Sequence, residues 1–370
     1  MSKIQLKDIC CFSKGSQING DELIDNGVYD YLNGGINPSG KWSDFNVSGG
    51  TITISEGGNS CGYVNYMPAP FWCGAHCYYL YDLRCEVKYL YYALKSQQDR
   101  IMKLRSGACM PNIKKSDIGS FTFEYTRDTG VQSIIVSNLD KVTHTIDLCN
   151  AILEKLDLLV KSRFVEMFGE PVSNTMNWDT VQLDKLTTKI GSGATPKGGR
   201  ESYGTKGISL IRSMNVHNCC FEYKDLAHIS KEQAEKLDNV TVHGKDVLLN
   251  ITGASVARCC IVPDNVLPAR VNQHVCIIRC KADFSPIFLC SVLTDENYQS
   301  HLWSIAGSGA TREAITKQQV ENLSIIVPPL DLQQQFAAFV EQTDKSKLAV
   351  KQVLERAETL KKALMQEYFG

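Results

Sequence analysis

The sequence lacks a charge imbalance, and it lacks the compact signatures of catalysis. Lys+Arg 39 against Asp+Glu 40 leaves a formal net charge of -1, so a nucleic-acid partner has to be met by local basic surface. No Gly-Lys-Ser/Thr phosphate loop occurs; Gly191-Ser-Gly-Ala-Thr-Pro-Lys-Gly-Gly is glycine-rich without that ending. His, Ser and Cys are scattered, and no nucleophile elbow is expected. The 15 cysteines contain no Cys-x2-Cys. Three adjacent pairs, Cys10-Cys11, Cys219-Cys220 and Cys259-Cys260, suit neither a disulfide nor a tetrahedral site. The nearest ligand pattern is Cys73-x2-His76-Cys77 with Cys85 beyond; reduced thiols filling small apolar slots is the reading preferred over a metal. A thiol or zinc enzyme would rest on the cysteine count alone. Long apolar runs are missing too. The one uncharged stretch, Cys61 to Tyr81, holds Pro68, Pro70, Asn65 and His76, which a lipid-exposed helix handles badly. Met1-Ser-Lys-Ile-Gln-Leu-Lys-Asp8 carries charge where a cleavable signal has its apolar core. A soluble, cytoplasmic protein with no membrane partner is expected.

What the chain does have is length and repetition. Its 370 residues, 43% hydrophobic and 21% charged, are enough for two domains with their own cores. Leu156-Asp-Leu-Leu-Val-Lys-Ser-Arg-Phe-Val-Glu-Met-Phe168-Gly169 recurs as Ala357-Glu-Thr-Leu-Lys-Lys-Ala-Leu-Met-Gln-Glu-Tyr-Phe369-Gly370. Upstream, Ser106-Gly107-Ala108 with Ile113 and Lys115 returns as Ser308-Gly309-Ala310 with Ile315 and Lys317. Ile4-Gln5-Leu6-Lys7-Asp8-Ile9 is matched more weakly by Val181-Gln182-Leu183-Asp184-Lys185-Leu186. Two copies follow from this, each with a variable interior and a fixed helical tail.

The interiors read as short strands bounded by glycine, asparagine and proline. They include Tyr29-Asp-Tyr-Leu, Thr51-Ile-Thr-Ile-Ser, Cys77-Tyr-Tyr-Leu-Tyr, Ile208-Ser-Leu-Ile-Arg, Asp246-Val-Leu-Leu-Asn-Ile-Thr-Gly and Val275-Cys-Ile-Ile-Arg. A strongly bent sheet or barrel fits them. The tails carry heptad seams. The first is Leu139, Val142, Ile146, Cys149, Leu153, Leu156, Val160 and Met167, broken at Arg163; the second is Val340, Val350, Leu354, Ala357 and Leu364, with Thr343, Lys347 and Lys361 as polar departures. The expected order is a domain over 1–130, a helix over 131–170, a second domain over 171–330 and a second helix over 331–370. Chain order predicts an α+β fold with a pseudo-two-fold repeat, the two helices lying antiparallel between the domains. A helix of about 36 residues is roughly 54 Å long, or roughly 16 base pairs of DNA.

This arrangement resembles the DNA specificity subunits of type I restriction-modification systems. The residues that carry the resemblance are Tyr31-Leu-Asn-Gly-Gly-Ile, Ile54-Ser-Glu-Gly-Gly and His76-Cys77 in the first copy. In the second they are Ile190-Gly-Ser-Gly-Ala-Thr-Pro, Ile211-Arg-Ser-Met-Asn, Ile251-Thr-Gly and Val271-Asn-Gln-His-Val, and the two tails complete the match. One departure stands out: the family's Pro-Pro and Gln helix start is present at Pro328-Pro329 and Gln333, but the first copy has Arg127-Asp-Thr-Gly-Val-Gln132. The resemblance implies a non-catalytic subunit of an adenine DNA methyltransferase and ATP-dependent endonuclease complex. Each domain would read one half of a bipartite, asymmetric site in double-stranded DNA. The helices would set the gap and dock two modification subunits, with restriction subunits joining that complex. S-adenosylmethionine, ATP and magnesium would belong to those partners, with no cofactor in this chain. Consistent with that division, no catalytic Asn-Pro-Pro-aromatic turn occurs; Asn37-Pro38 is followed by Ser39. The alternative is an orphan DNA-binding or scaffold protein without methyltransferase partners.

Two basic stretches are candidates for phosphate contacts, Lys95 to Lys115 and Lys189 to Arg212, the alternative for Lys95 to Lys103 being a plain solvated helix face. Groove-edge readers are sought among Arg, Asn and Gln: Asn33, Asn59, Arg212, Asn215, Asn272 and Gln273. Further DNA-facing candidates are Gly34, Arg105, Ser106, Lys114, Lys115, Thr195, Lys197, Ser213, Thr252, Ser308, Thr311, Arg312 and Lys317. His76 and His274, each leading into a strand at matching places, are read first as hydrogen-bonded structure and second as contacts.

Overall fold

The computed structural model describes residues 2–107, 111–196, 199, 203–307 and 313–370. The chain forms two compact units, one from Met1–Ala151 with Lys351–Gly370 and the other from Ile152–Val350. The first opens with β1 (Ser2–Gln5), β2 (Cys11–Lys14), β3 (Tyr29–Leu32) and β4 (Gly40–Trp42). There follow β5 (Thr51–Ser55), β6 (Val64–Met67), β7 (Phe71–Cys73) and β8 (Cys77–Tyr81). Helices α1 (Val87–Ser96), α2 (Gln98–Met102) and α3 (Lys115–Gly119) lead to β9 (Thr122–Tyr125) and the long helix α4 (Thr129–Phe168). The strands make a four-stranded sheet β2-β8-β5-β6, a three-stranded sheet β4-β3-β7 and the pair β1-β9. Aromatic and β-branched residues suit such half-buried strands. Thr51-Ile-Thr-Ile-Ser is buried on both faces from Ile52 onward.

The second unit repeats this plan. Its strands are β10 (Thr180–Gln182), β11 (Thr187–Ser192), β12 (Ile208–Ile211), β13 (Val216–His217), β14 (Cys220–Phe221) and β15 (Ala227–Ile229). They continue as β16 (Thr241–Val242), β17 (Val247–Asn250), β18 (Cys259–Ile261), β19 (Ala269–Val271), β20 (Val275–Cys280) and β21 (Ser324–Ile326). Its helices are α5 (Leu183–Leu186), α6 (Lys231–Glu235), α7 (Pro286–Thr294), α8 (Glu296–Gly307), α9 (Lys317–Glu321) and α10 (Leu330–Phe369). Sheet β11-β20-β17-β18 answers β2-β8-β5-β6, sheet β15-β12-β19-β16 answers β4-β3-β7, and β10-β21 answers β1-β9. Among the described residues one pair in each unit is parallel, β3 with β7 and β12 with β19. The α+β class, the repeat and the strands expected from the interiors are all present.

Both tails are helical for 40 residues. The seams run along the covered stripe of each helix. Leu139, Val142, Ile146, Leu153, Leu156 and Val160 are buried or half-buried while Lys141, His144, Asp147, Glu154 and Lys155 are exposed. Val340, Val350, Leu354 and Leu364 behave in the same way, and the polar departures Thr343, Lys347 and Lys361 also lie on the covered stripe. Lys347 is accommodated there by Asp157, 2.7 Å from its Nζ. Burial opposes its charge, but the Asp157 and Asp344 carboxylates outweigh that and raise the ammonium pKa. In the first unit the helices meet head to tail, Asn138 Nδ2 donating to the Tyr368 hydroxyl at 3.0 Å. In the second, Phe164 packs on Phe336 with ring centroids 5.6 Å apart.

The helix ends plug the units in equivalent ways. Phe369 packs on Tyr89 at 5.6 Å, and Phe168 packs on Phe288 at 4.8 Å. At the helix starts two buried glutamines do matching work. Gln132 donates to the Thr126 carbonyl and accepts from the Glu86 N–H; Gln333 donates to the Pro328 carbonyl and accepts from the Ser285 N–H. The unusual start of α4 is explained by Asp128, whose Oδ1 accepts from the N–H groups of Gly130 and Val131, a side-chain cap in place of two prolines. Gln132→Ala removes the partner of two half-buried backbone groups and is expected to cost about 1–3 kcal/mol, read as a lower urea midpoint at unchanged slope.

Most of the described cysteines are buried, and none is in a disulfide. Burial pushes the Cys10, Cys260, Cys276 and Cys280 thiols up to about 12. A thiol reagent at pH 8 is expected to label the exposed Cys11 and Cys220 promptly and those four only on unfolding, a difference that mass spectrometry of the native protein resolves. Among the described residues no group of three or more His, Cys, Asp or Glu could hold a metal ion, and no helix is long and apolar enough to cross a membrane.

Candidate nucleic-acid interface

The same loop junction is built in each unit around a close backbone approach. A Cβ on Gly15 would stand 1.8 Å from the Cys73 carbonyl oxygen, and one on Gly193 would stand 1.7 Å from that of Val271. Only glycine lets these loops cross the parallel strand pair there. Beyond that pair, Gly74 N–H bonds the Leu32 carbonyl at 2.9 Å and Asn272 N–H bonds the Ile211 carbonyl at 3.0 Å. The carbonyls of His76 and His274 accept from Glu56 N–H at 2.9 Å and Ile251 N–H at 3.0 Å. Ile113 N–H and Ile315 N–H close the junction on the Glu56 and Ile251 carbonyls at 2.9 and 2.8 Å. Gln17, Asn33, Ala75 and His76 therefore occupy the places of Thr195, Arg212, Gln273 and His274.

The side chains differ at three of these four shared places, the histidine being common to both. In the second unit Thr195 Oγ1 bonds Gln273 Oε1, Gln273 Nε2 lies 3.1 Å from His274 Nε2, and His274 Nδ1 lies 2.6 Å from Thr252 Oγ1. Arg212 lies over the Tyr203 ring, 5.4 Å from its centroid, and donates to the Asp225 carbonyl. In the first unit Asn33 Oδ1 accepts from His76 N–H at 3.2 Å, and Asn33 Nδ2 donates to Gln17 Oε1 at 3.2 Å. Beneath them the Glu56 carboxylate is buried. It pairs with Lys14, accepts from the Tyr78 hydroxyl at 3.3 Å and lies 3.9 Å from His76 Nδ1. Burial first, and the Glu56 charge second, push the Tyr78 hydroxyl up to about 12. Both histidines thus have hydrogen-bonded backbones, while the His76 side chain is 64% exposed.

The remaining candidates divide by exposure. Asn59, Arg105, Ser106, Lys114 and Lys115 are exposed in the first unit, as are Thr195, Gln273 and Lys317 in the second; Ser213 and Thr252 are half-buried. Lys115 Nζ sits 5.3 Å over the Phe12 ring, and Lys317 Nζ is 3.4 Å from Glu321. Lys317 also borders an open cavity of about 590 Å³ with Lys189 and Asp184. Lys197, Ser308, Thr311 and Arg312 lie outside the described residues.

Three expectations need correction. Asn215 is not at a groove edge: it is fully buried, its Oδ1 accepting from Arg212 N–H and its Nδ2 donating to the Glu222 and Lys224 carbonyls. Asn272 is buried as well, and its Oδ1 caps His274 N–H at 3.1 Å. Gly34 is a buried backbone position at φ +83 whose carbonyl accepts from Ser60 Oγ at 2.6 Å. Lys95, at the head of the first basic stretch, is turned inward onto the Val64 carbonyl and the Tyr63 ring. Burial lowers its pKa.

Sequence reasoning missed Gln17 and the Ala75 place. The signal was Gly15-Ser-Gln17 matching Gly193-Ala-Thr195 after a short strand. It also passed over a Gly-x-Ser-x-Gly string, Gly58 to Gly62. Its Ser60 lies in a turn between two strands and its hydroxyl donates a hydrogen bond to the Gly34 carbonyl, whereas a nucleophile elbow turns from strand to helix.

Comparison with known proteins agrees with this architecture. The profile of the type I restriction modification DNA specificity domain matches residues 1–158 and 176–359. A protein of Mycoplasma pneumoniae named as a type I specificity subunit is 35% identical over 183 residues, 49% of this chain and 48% of its own. Another, of Mycoplasma genitalium, is 34% identical over 144 residues, 38% of this chain and 37% of its own. The chain thus spans about half or less of the length of these curated relatives. The crystal structure of a type I restriction-modification S subunit from M. genitalium shares the fold, with TM-score 0.73 at 19% identity, covering 100% of this chain and 96% of that one. A chain from a structural study of complex assembly and conformational transition in the type I system gives TM-score 0.53 at 14% identity, covering 99% and 96%. With both repeats matched, the chain belongs to the type I restriction-modification DNA specificity family.

Proposed function

We propose that this chain recognises DNA sequence for a type I restriction-modification complex and does no chemistry of its own. The observation that carries the reading is one backbone junction built twice with different polar side chains on it. Gln17 and Asn33 stand where Thr195 and Arg212 stand in the other unit, and Ala75 stands where Gln273 does, while the histidine is common to both. Such a pair reads two unlike half-sites, one per unit, in double-stranded DNA. The exposed lysines and Arg105 supply sequence-independent attraction to phosphate.

The two helices, 40 residues and about 60 Å long each, set the gap between half-sites. Their outward residues Leu148, Leu158 and Leu159 on α4, and Leu348, Val353 and Leu360 on α10, are exposed. Apolar side chains in that number favour docked subunits. Two modification subunits take that place and restriction subunits join them, with S-adenosylmethionine, ATP and magnesium held by those partners. The complex works in the cytoplasm, where the DNA is.

The test is co-purification from the host followed by mapping of methylated adenines with and without this chain. A two-part methylated motif with a fixed gap, lost on deletion, is the expected result. Stable folding with no partner and unchanged methylation would replace this reading by an orphan DNA-binding or scaffold protein.

A further inference from the structure

Gln273 is an exposed amide held at both ends. Its Oε1 is engaged by Thr195 Oγ1, and its Nε2 by the His274 ring 3.1 Å away. The ring is itself held, with Thr252 Oγ1 2.6 Å from Nδ1 and the backbone of His274 bonded to Ile251 N–H and Asn272 Oδ1. A free glutamine on a surface samples several rotamers and either amide orientation. This one is pinned before any ligand arrives, which removes the ordering cost of binding.

A primary amide carries two N–H groups and two carbonyl lone pairs. With one of each engaged by His274 and Thr195, one N–H and one lone pair remain on the two neighbouring atoms of an exposed amide. The count is the same for either tautomer of His274. If Nδ1 carries the proton, Nε2 accepts from the amide N–H. If Nε2 carries it, the amide turns over, its oxygen accepts from the ring and its nitrogen donates to Thr195. One donor beside one acceptor matches the adenine edge in the major groove, which offers N7 as acceptor and the N6 amino group as donor. Guanine offers two acceptors there, and thymine one acceptor and a methyl group.

We propose that Gln273 reads an adenine in the half-site of the second unit, with Thr195 and His274 as its positioning residues. The proposal rests on the DNA-recognition reading above. Ala75 takes the equivalent place in the first unit, so that unit makes no such contact from this position, and the two half-sites differ at the corresponding base.

The test is selection from a randomised duplex library by the full chain with whatever subunits co-purify with it. Wild type is compared with Gln273→Ala, Gln273→Glu and Thr195→Val, each checked for an unchanged melting curve. Gln273→Ala is expected to lower the preference for A over other bases by about 10- to 100-fold at one position in one half of the motif. Gln273→Glu replaces the amide with two acceptors and is expected to move that position toward C, whose N4 donates. Thr195→Val weakens discrimination at the same base pair, and Thr195→Ser restores it. An unchanged motif in Gln273→Ala overturns the proposal while leaving DNA recognition standing, as does a loss of preference spread evenly over all positions. A wild-type chain that enriches no sequence overturns the underlying reading and the proposal with it.

Discussion

Phe168→Ala is expected to destabilise the second unit by about 3–5 kcal/mol, the range for emptying a large aromatic site in a core. Phe168 is fully buried and its ring meets three others, Phe164 at 5.3 Å, Phe288 at 4.8 Å and Phe336 at 5.5 Å. These rings come from both long helices and from α7, so truncation leaves a void that no single element can close by moving. Each lost edge-to-face contact adds to the lost area, at about 0.5–1.5 kcal/mol per aromatic pair. Urea unfolding followed by circular dichroism measures the effect. Phe168→Leu, which refills most of the volume, should cost clearly less. If Phe168→Ala unfolds within about 1 kcal/mol of wild type, the site has collapsed and the plug is not a fixed element.

Arg279→Ala is expected to be as damaging, for a different reason. Asp246 is fully buried, and its two oxygens take a forked pair of bonds from Arg279, both at 2.8 Å; His243 N–H adds a third at 2.7 Å. Arg279 also donates to the Thr241 carbonyl. Removing the arginine strands a carboxylate in a dry site, at about 3–5 kcal/mol. The double replacement Asp246→Leu with Arg279→Met removes both charges and should recover most of the loss, because a buried pair gains little over well-packed apolar side chains. A thermodynamic cycle over the four proteins separates the two contributions. A double variant as unstable as Arg279→Ala would mean that the fork itself, rather than the stranded charge, carries the stability.

The parts of the molecule that were legible in the sequence are those set by local periodicity and by repetition. The seam from Leu139 to Val160 and its partner from Val340 to Leu364 follow from residue type at heptad spacing, and burial follows the same stripe. Short strands such as Thr51–Ser55 were visible because β-branched runs end at glycine. The interface was legible only in outline. Asn215 and Gln273 look alike in a sequence as amides in polar loops, yet one is sealed under Glu222 and Lys224 and the other projects. Which way a loop side chain turns depends on backbone bonds to residues far along the chain, and periodicity carries no record of them. Gln17 was missed because its importance comes from Gly15 passing Cys73, a contact across 58 positions. Lys95 sat in a basic run and was turned inward by Tyr63, again at long range.

The way Phe369 closes the first unit has a consequence for how the protein is made. Residues 1–151 emerge from the ribosome first, but their core is completed by residues 351–370, which are synthesised after the whole of the second unit. The second unit is contiguous and can close as soon as residue 350 is clear. Until residues 351–370 follow, the first holds an open slot beside Tyr89, and Gln97 lacks the Phe369 carbonyl that it bonds at 3.0 Å. The half that is born first therefore matures last. During that interval its unsealed aromatic surface is a target for chaperones and for misassembly between nascent chains.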